Sequence, residues 1–204
     1  MQDDIERVLI DRQTIATRVE ELALQITRDL IGGGAVDDED AGITLVPLLT
    51  GSFIFAADLI RHLPVKLKIR LLSVSSYPGT ATSSRGAQIK DDLSHLPASL
   101  AGQHVLVIDD ILDSGNTLRL VGQTLSKMNP ASLRTCVLLR KQRPQAMSFP
   151  VDYVAFDIPD EFVVGYGLDF NDHYRNLPDI VTLRSEVIEA AIALQDNSKF
   201  NSKK

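Results

Sequence analysis

The sequence has few cysteine and aromatic residues: one cysteine, no tryptophan, and 5% aromatic residues among its 204 positions. A single cysteine excludes an internal disulfide. Its apolar neighbours, Leu133 to Leu139, predict a strand in which Cys136 is buried and unreactive. The sequence also lacks an apolar run near the ~20 residues that span a bilayer, and its acidic first residues lack the basic and apolar parts of a signal peptide. These absences disfavour a disulfide-rich secreted domain and predict a cytoplasmic protein without a membrane partner.

Basic residues are in the minority, with 21 lysines and arginines against 27 aspartates and glutamates and a net charge of −6. This balance disfavours a nucleic-acid-binding surface, although a local basic patch is compatible with it. Apolar residues make up 44% of the chain, and the mean hydropathy is +0.02. At this length, the composition predicts a soluble globular protein that is one domain over residues 1–204, or one domain with a small attachment.

The most informative stretch, Val105 to Thr117, combines a strand, two acids and a glycine-containing loop. Four apolar residues, Val105 to Ile108, predict a buried strand, and Asp109 and Asp110 follow directly. The loop from Asp113 to Thr117 leads into a helix, so its backbone N–H groups, hydroxyls and helix N-terminus favour a phosphate. The two acids suit vicinal ribose hydroxyls and Mg²⁺. An ordinary acidic turn is the alternative, and the complete run of features disfavours it.

A second unit of strand, glycine-containing loop and helix is predicted earlier in the chain. Ile43 to Leu49 predicts a buried strand, Thr50 and Gly51 lie in the loop, and Phe53 to Leu63 predicts a helix. Taken alone, this unit is best interpreted as a tight turn, but beside the first one it is a second candidate anion site. By contrast, Gly32 to Gly34 follow a helix and lead to a strand, so they are interpreted as a flexible connection.

The rest of the chain predicts alternating strands and helices. Strands are predicted at Val8–Ile10, Lys66–Val74, Leu133–Leu139 and Val151–Phe156, and helices from Asp11 to about Leu30, Leu118 to Met128 and Arg184 to Leu194. Residues 75 to about 88 are rich in small and hydroxylic side chains and predict a mobile lid. The alternation predicts an α/β fold with a parallel sheet and helices on both faces. Ligands of such sheets bind at the carboxyl ends of the strands, where the motifs fall.

The segment from Ile158 to Arg175 resembles the same protein family as the earlier motifs do. Together with Val105–Leu118, Leu49–Ser52 and Lys141, it resembles the hypoxanthine-guanine members of the type I phosphoribosyltransferase family over nearly the whole chain. The resemblance implies the fold of that family: a central parallel sheet flanked by helices, with a small purine-binding hood from the N-terminal segment and about residues 158–183. It also implies transfer of the 5-phosphoribosyl group from 5-phosphoribosyl 1-pyrophosphate (PRPP) to a 6-oxopurine in purine salvage. The products would be pyrophosphate and either IMP or GMP, and the cofactor would be Mg²⁺. The choice between hypoxanthine and guanine stays open.

The resemblance assigns roles in PRPP binding to the matching positions. Asp109 and Asp110 would bind the ribose hydroxyls, partly through Mg²⁺, and Asp113 would be the catalytic acid/base near the purine. The 5′-phosphate would be held by Asp113, Ser114, Gly115, Asn116 and Thr117. The pyrophosphate would contact Leu49, Thr50, Gly51 and Arg175, and the lid would carry Ser76 and Tyr77.

Two positions depart from the family pattern. Thr50 stands where lysine is frequent, so this loop is expected to act through backbone N–H groups without a side-chain charge. Asp109 stands where glutamate is usual, and its side chain is one methylene shorter, which predicts a water-mediated contact with the ribose.

The purine-binding roles fall on four further residues. Lys141 would bond the edge of the base, Phe162 would stack on it, and Val163 would offer it backbone groups. Asp169 would be an acid linked to the purine and the metal. Without the resemblance, Lys141 is best interpreted as a solvated strand end, and Phe162 is also consistent with a core position.

Two other functions remain open from the sequence alone. One is a PRPP-sensing regulator on the same fold that binds RNA or DNA, which the retained Asp113 and Lys141 and the negative net charge disfavour. The other is a phosphoribosyltransferase for another base, and the hood sequence disfavours orotate and uracil. The resemblance further implies a homodimer or homotetramer without a nucleic-acid partner.

Overall fold

The computed structural model describes residues 1–32, 43–75, 88–89 and 96–201. The chain groups into two compact units: Met1–Ile15 with Glu161–Lys204, named here the terminal unit, and Ala16–Asp160, the sheet unit. Most of the predicted lid, including Ser76 and Tyr77, lies outside the described residues, as does most of the predicted Gly32–Gly34 connection. The single domain with a hood stays a prediction.

The described elements follow one another in a largely alternating order. A 3₁₀ turn at Gln2–Asp4 precedes β1 (Ile5–Ile10), α1 (Arg12–Gly32), β2 (Ile43–Leu49), α2 (Phe53–Arg61), β3 (Leu67–Ile69), β4 (Leu72–Ser75), β5 (Gln88–Ile89), β6 (His104–Leu112), α3 (Asn116–Ser126), β7 (Ser132–Lys141), α4 (Pro144–Met147), β8 (Tyr153–Ile158), β9 (Ile180–Leu183) and α5 (Ser185–Asn201). Within the described ranges, no helix combines the length and apolar character needed to cross a bilayer.

The sheet unit is built on a seven-stranded, mostly parallel sheet. Its strand order is β5-β4-β2-β6-β7-β8, with β3 also beside β2. The pairings of β2, β6, β7 and β8 are parallel, and the short β5 pairs antiparallel with β4. Apolar residues of β2, β6 and β7 form the core with those of α3, because central parallel strands are covered on both faces. The predicted α/β fold with a central parallel sheet flanked by helices is confirmed.

The strand predicted at Lys66–Val74 is interrupted. Its two parts, β3 and β4, keep one register on β2, and between them the Arg70 N–H donates to the Leu45 carbonyl at 2.9 Å. Leu48 of β2 pairs with Leu72, and the residue before Leu48 is Pro47. A proline has no N–H to donate to a neighbouring strand, which accounts for the break before Leu72.

The strand predicted to end at Ile108 continues to Leu112, so Asp109 and Asp110 lie within it and not in the loop after it. Pairing with β2 ends at Ile108, whereas pairing with β7 continues through Asp109 to Leu112. The apolar pattern therefore marked only the part of β6 that has a neighbour on both sides. The backbone of both acidic residues is consequently part of β6, which fixes the positions from which their side chains extend.

The predicted first helix is confirmed as α1, with Asp11 as its N-cap. The Asp11 Oδ1 atom accepts hydrogen bonds from the N–H groups of Gln13 at 2.9 Å and Thr14 at 3.0 Å, which hold the pKa of Asp11 below its usual range. The predicted apolar stripe is buried at Ile15, Val19, Leu22, Ile26 and Leu30. Cys136 is also buried, as predicted, and burial raises the pKa of its thiol.

The terminal unit contains a second, two-stranded sheet. β1, which includes the strand predicted at Val8–Ile10, pairs antiparallel with β9. Val164, Leu177, Val181 and Leu183 form a small core, and Val187 of α5 packs against it. β9 and α4 were not predicted, because four residues are too few to show a strand or helix period.

Candidate active site

The carboxyl ends of the parallel strands place the predicted phosphate and ribose residues at one edge of the sheet. β2 ends at Leu49 and β6 at Leu112, and the neighbouring β7 ends at Lys141. Because these strands run in the same direction side by side, the segments that follow them emerge close together. The structure thus brings Thr50–Gly51, Asp109–Thr117 and Lys141 into one region of the sheet unit.

Asp109 and Asp110 form an acidic pair at the end of β6. Asp109 is 6% exposed, and its Oδ1 accepts the Asp110 N–H at 3.1 Å. Burial raises the pKa of Asp109 well above its usual value, and the neighbouring charge of Asp110 raises it further. A cation bound to the buried Asp109 carboxylate would replace the lost water and favour the ionised carboxylate. The pair therefore suits a divalent metal ion that prefers hard oxygen ligands.

Gly51 packs directly against the carboxylate of Asp110. A Cβ atom built on Gly51 would lie 1.7 Å from Asp110 Oδ2, so only glycine leaves room for this contact. The Leu49–Thr50 peptide bond is cis. Ser52 Oγ donates to the Leu48 carbonyl at 2.6 Å and ties the loop to its own strand. The loop after β2 is therefore in contact with the acidic pair on β6 through Gly51 and Asp110.

If this edge of the sheet binds PRPP, as the resemblance implies, we expect Gly51→Ala to raise the KM for PRPP at least about tenfold, equivalent to ~1.4 kcal/mol of lost binding. The added methyl group would push the Asp110 carboxylate out of its place. Gly122→Ala is the matched control, because a Cβ at Gly122 meets nothing within 4 Å and the residue lies in α3. Steady-state kinetics of both variants measure the effect, and equal KM values for Gly51→Ala and the unmodified protein would contradict it.

The predicted 5′-phosphate loop ends at the N-terminus of α3. Gly115 has a φ of 76° and is the N-cap of a helix that begins at Asn116. A Cβ on Gly115 would lie 2.4 Å from the ring of Phe149, so this ring closes off one side of the loop. The Arg119 guanidinium carbon lies 5.6 Å from the centre of the same ring. A left-handed glycine before a helix N-terminus exposes backbone N–H groups, which is the geometry that binds phosphates.

Lys141 and Asp113 are linked through two residues to which the sequence analysis gave no role. Lys141 is nearly buried, with a side chain 12% exposed, and its Nζ lies 3.5 Å from Asp160 Oδ1. Arg143 Nε lies 2.6 Å from Asp160 Oδ2, and Arg143 NH1 also donates to Asp113 Oδ1. The hydrogen bond from Arg143 holds the pKa of Asp160 below its usual range. The only sequence signals for Arg143 and Asp160 are their positions just after the strand ends.

In the terminal unit, Phe162 is 47% exposed, which excludes the core position left open by the sequence. Its ring meets that of Phe170 edge to face at a centroid distance of 5.5 Å. Val163 is buried, and the next residue, Val164, forms a β-bridge with Val181. An exposed ring braced by a second aromatic ring can accept a planar ligand on its face.

Asp169 and Arg175, which were predicted separately, are in direct contact. Arg175 NH2 lies 2.8 Å from Asp169 Oδ1 and 3.1 Å from Asp172 Oδ1. Arg175 NH1 donates to the Gly167 carbonyl at 2.9 Å, and the Asp172 N–H donates to Asp169 Oδ2 at 2.8 Å. The guanidinium is therefore held in a fixed orientation by this loop. Such a fork suits two phosphate oxygens.

Comparisons with known proteins agree with this arrangement of motifs. A family model described as a phosphoribosyl transferase domain matches residues 9–171. The hypoxanthine-guanine phosphoribosyltransferase of Streptococcus pneumoniae is 36% identical over 187 residues, which are 92% of this chain and 98% of the relative. The hypoxanthine phosphoribosyltransferase of Escherichia coli is 40% identical over 173 residues, which cover 85% of this chain and 92% of the relative.

A solved structure of the hypoxanthine phosphoribosyltransferase of Trypanosoma cruzi superimposes with a TM-score of 0.84 at 39% identity, covering 94% of this chain and 97% of that one. The chain therefore belongs to the phosphoribosyltransferase family and, within it, to the hypoxanthine-guanine phosphoribosyltransferases.

Proposed function

We propose that this protein transfers the 5-phosphoribosyl group from PRPP to a 6-oxopurine such as hypoxanthine and releases pyrophosphate. The observation that supports the proposal is the contact between Gly51 and the Asp110 carboxylate, which joins the loop after β2 to β6, the neighbouring strand that leads into the second predicted anion loop. PRPP carries its phosphate and pyrophosphate on opposite ends of one ribose. Two anion loops with acids between them match that distribution of groups.

In the proposed reaction, a purine nitrogen attacks C1 of the ribose and pyrophosphate leaves. Positive charge develops on the ribose and negative charge on the leaving group, so the protein must orient both partners and stabilise both charges. Backbone N–H groups after Gly115 would hold the 5′-phosphate, and Thr50 and Gly51 would hold the pyrophosphate with Arg175. Asp113 would accept the purine proton as the nitrogen–carbon bond forms.

The residues of the acidic pair fit Mg²⁺ as the cofactor. Asp109 and Asp110 offer adjacent carboxylates at the ligand edge of the sheet, and Mg²⁺ commonly uses one or two carboxylates together with substrate oxygens and water. Among the described residues, no group of three or more histidine, cysteine, aspartate or glutamate side chains forms a complete metal cage. When bound, Mg²⁺ would offset the negative charge of the leaving pyrophosphate. Asp169 is proposed as a further metal-linked acid.

Lys141, Phe162 and Val163 are the residues proposed to contact the purine. Lys141, nearly buried at the end of β7, would donate to the 6-oxo group of the base. Phe162, which is exposed and braced by Phe170, would stack on the ring, and Val163 would contribute its backbone groups.

The proposed function is tested by incubating the protein with PRPP, Mg²⁺ and hypoxanthine, guanine or adenine in turn. Formation of IMP with an equal amount of pyrophosphate is the expected result. Absence of product with all three bases would overturn the proposal. The same assay addresses the alternative of a PRPP-sensing regulator, which would bind PRPP without consuming it and finds no support among the relatives described above.

We expect Asp109→Asn to stabilise the protein in the absence of divalent ions while weakening PRPP binding. Because the folded-state pKa of Asp109 is raised, the folded protein holds a proton that the unfolded chain releases, so stability falls as pH rises through that folded pKa. The amide of asparagine does not ionise, so Asp109→Asn removes this loss of stability with rising pH. Denaturant unfolding at a series of pH values rising from about 4, the ordinary carboxyl pKa, measures it, with Asp152→Asn as control. A smaller unfolding free energy for Asp109→Asn throughout would contradict the expectation.

The remaining assignments accompany this proposal as predictions. They are a cytoplasmic location, a homodimer or homotetramer, and the absence of a nucleic-acid partner. The ratio of hypoxanthine to guanine use is open to the same assay.

A further inference from the structure

Four charged side chains at the carboxyl ends of β6, β7 and β8 form one connected chain in the sheet unit. Arg143 bridges two carboxylates with different nitrogens: NH1 bonds Asp113 Oδ1, and Nε lies 2.6 Å from Asp160 Oδ2. Asp160 in turn faces two cations, since Lys141 Nζ lies 3.5 Å from its other oxygen. The order of contacts is therefore Asp113, Arg143, Asp160, Lys141.

The backbone directs Arg143 into this position. Arg143 precedes Pro144 and is extended, with φ −115° and ψ 147°, because a residue before proline is disfavoured in the helical region. Its N–H donates to the Lys141 carbonyl at 2.7 Å, and the Gln142 N–H donates to the Ile158 carbonyl at 2.8 Å. The turn after β7 is thus fastened to the end of β8, from which Asp160 follows.

Asp160 holds the Arg143 guanidinium in place as a charged partner. The hydrogen bond from Arg143 is the main cause that holds the pKa of Asp160 below its usual range, and the charge of Lys141 adds to it. The same hydrogen bond raises the pKa of Arg143, so both partners remain charged. Since Asp160 holds Nε, the rest of the planar guanidinium has a fixed direction toward Asp113.

We propose that Arg143 is a positioning residue that fixes the orientation of the Asp113 carboxylate for proton transfer, and that Asp160 anchors Arg143 while it also holds Lys141. This inference rests on the proposed function, in which Asp113 accepts the purine proton and Lys141 contacts the base. With Oδ1 held by Arg143, Oδ2 is the oxygen that receives the proton. A general base must lie within hydrogen-bond reach of that proton, and a shift of about 1 Å in such a group can lower a rate about 100-fold.

The test measures Arg143→Gln and Arg143→Lys on two backgrounds, the unmodified protein and the Asp113→Asn protein. Arg143→Gln should lower kcat with hypoxanthine at least about tenfold and change the KM for PRPP less than about twofold, because it misplaces the base without touching PRPP. Arg143→Lys should restore part of kcat, since an ammonium can still pair with both carboxylates. In the Asp113→Asn protein, Arg143→Gln should lower kcat less than about twofold further, because two residues that act as one unit are not additive.

Asp160→Asn extends the test to the other end of the chain of contacts. It should lower kcat as Arg143→Gln does and also raise the KM for hypoxanthine, because Lys141 loses its carboxylate partner. Arg140→Gln and Asp157→Asn are the matched controls: Arg140 bonds Asp157 at 2.6 and 3.1 Å from the same two strands. Both controls should leave kcat within about twofold of the unmodified protein, as expected for a partly exposed ion pair on the face of the sheet opposite Lys141.

The outcomes separate this inference from the proposed function. Full kcat in Arg143→Gln, or an equal further loss on the Asp113→Asn background, would overturn the positioning role while the unmodified enzyme remains active. An unmodified protein that forms no nucleotide from any purine would overturn the proposed function itself. If Arg143→Gln does not fold, as judged by circular dichroism, Arg143→Lys with and without Asp113→Asn decides the question by the same kcat comparison.

Discussion

Asp113→Asn should lower the rate of the chemical step by about 10²–10⁴, the range for a positioned proton-transfer group, and leave PRPP binding nearly intact. The side chain follows β6 directly, lies between the acidic pair and Gly115, and bonds Arg143. Asparagine preserves the shape of the residue and can still meet the 5′-phosphate loop, but it cannot accept the purine proton. Single-turnover kinetics with hypoxanthine measure the chemical step, and calorimetric titration with PRPP measures binding.

A comparison variant separates proton transfer from general loss of charge. Asp157→Asn removes a carboxylate from the end of β8 that pairs with Arg140, so its chemical step should match that of the unmodified protein. Full turnover in Asp113→Asn would remove this residue from the acid/base role. Equal losses in both variants would indicate an effect of net charge and not of proton transfer.

Adenine should be used at least about 10⁴-fold less efficiently than hypoxanthine, as measured by kcat/KM on the unmodified protein. The Lys141 ammonium has three donors and no acceptor, and its side chain is 12% exposed. A 6-oxopurine offers an acceptor to it, whereas adenine offers a 6-amino donor. The mismatch would leave polar groups unpaired in a desolvated position, which separates substrates strongly. Comparable kcat/KM values for adenine and hypoxanthine would refute both the role of Lys141 and the class of base.

Lys141→Met should lower kcat/KM for hypoxanthine and guanine sharply, because it removes the charge-assisted bond while keeping an apolar stem. Lys127→Met, an exposed lysine at the end of α3, is the matched control and should leave base preference unchanged. Phe162→Ala should weaken all purines together, since stacking does not distinguish the 6-substituent. A change in the order of kcat/KM among the bases in Phe162→Ala would show that the Phe162 ring also takes part in distinguishing the bases.

Much of the site follows from local sequence because its chemistry is local. The loop from Asp113 to Thr117 is proposed to bind a phosphate through consecutive N–H groups, and only a strand, a glycine and a helix start are needed to recognise it. The first helix was predicted with its cap for the same reason, since Asp11 bonds residues two and three positions away. The roles of the individual site residues remain proposals.

Where the prediction failed, the reason was a neighbouring strand. The extent of β6 past Ile108 depends on β7, and the break between β3 and β4 falls beside Pro47 of β2. Apolar periodicity reports burial of a segment and does not identify its partners. The elements β9 and α4 are too short to show a period of their own.

The sequence by itself determined which chemical groups follow each strand, because strand, glycine loop and helix signals are encoded within about ten residues of one another. Only the tertiary structure decided which of those groups touch: Gly51 meets Asp110, Phe149 closes off Gly115, and Arg143 joins Asp113 to Asp160. These contacts join residues that are up to about sixty positions apart and depend on β2, β6, β7 and β8 lying side by side. That order results from packing of the whole sheet, in which non-local pairing is decided by global burial and not by any one segment.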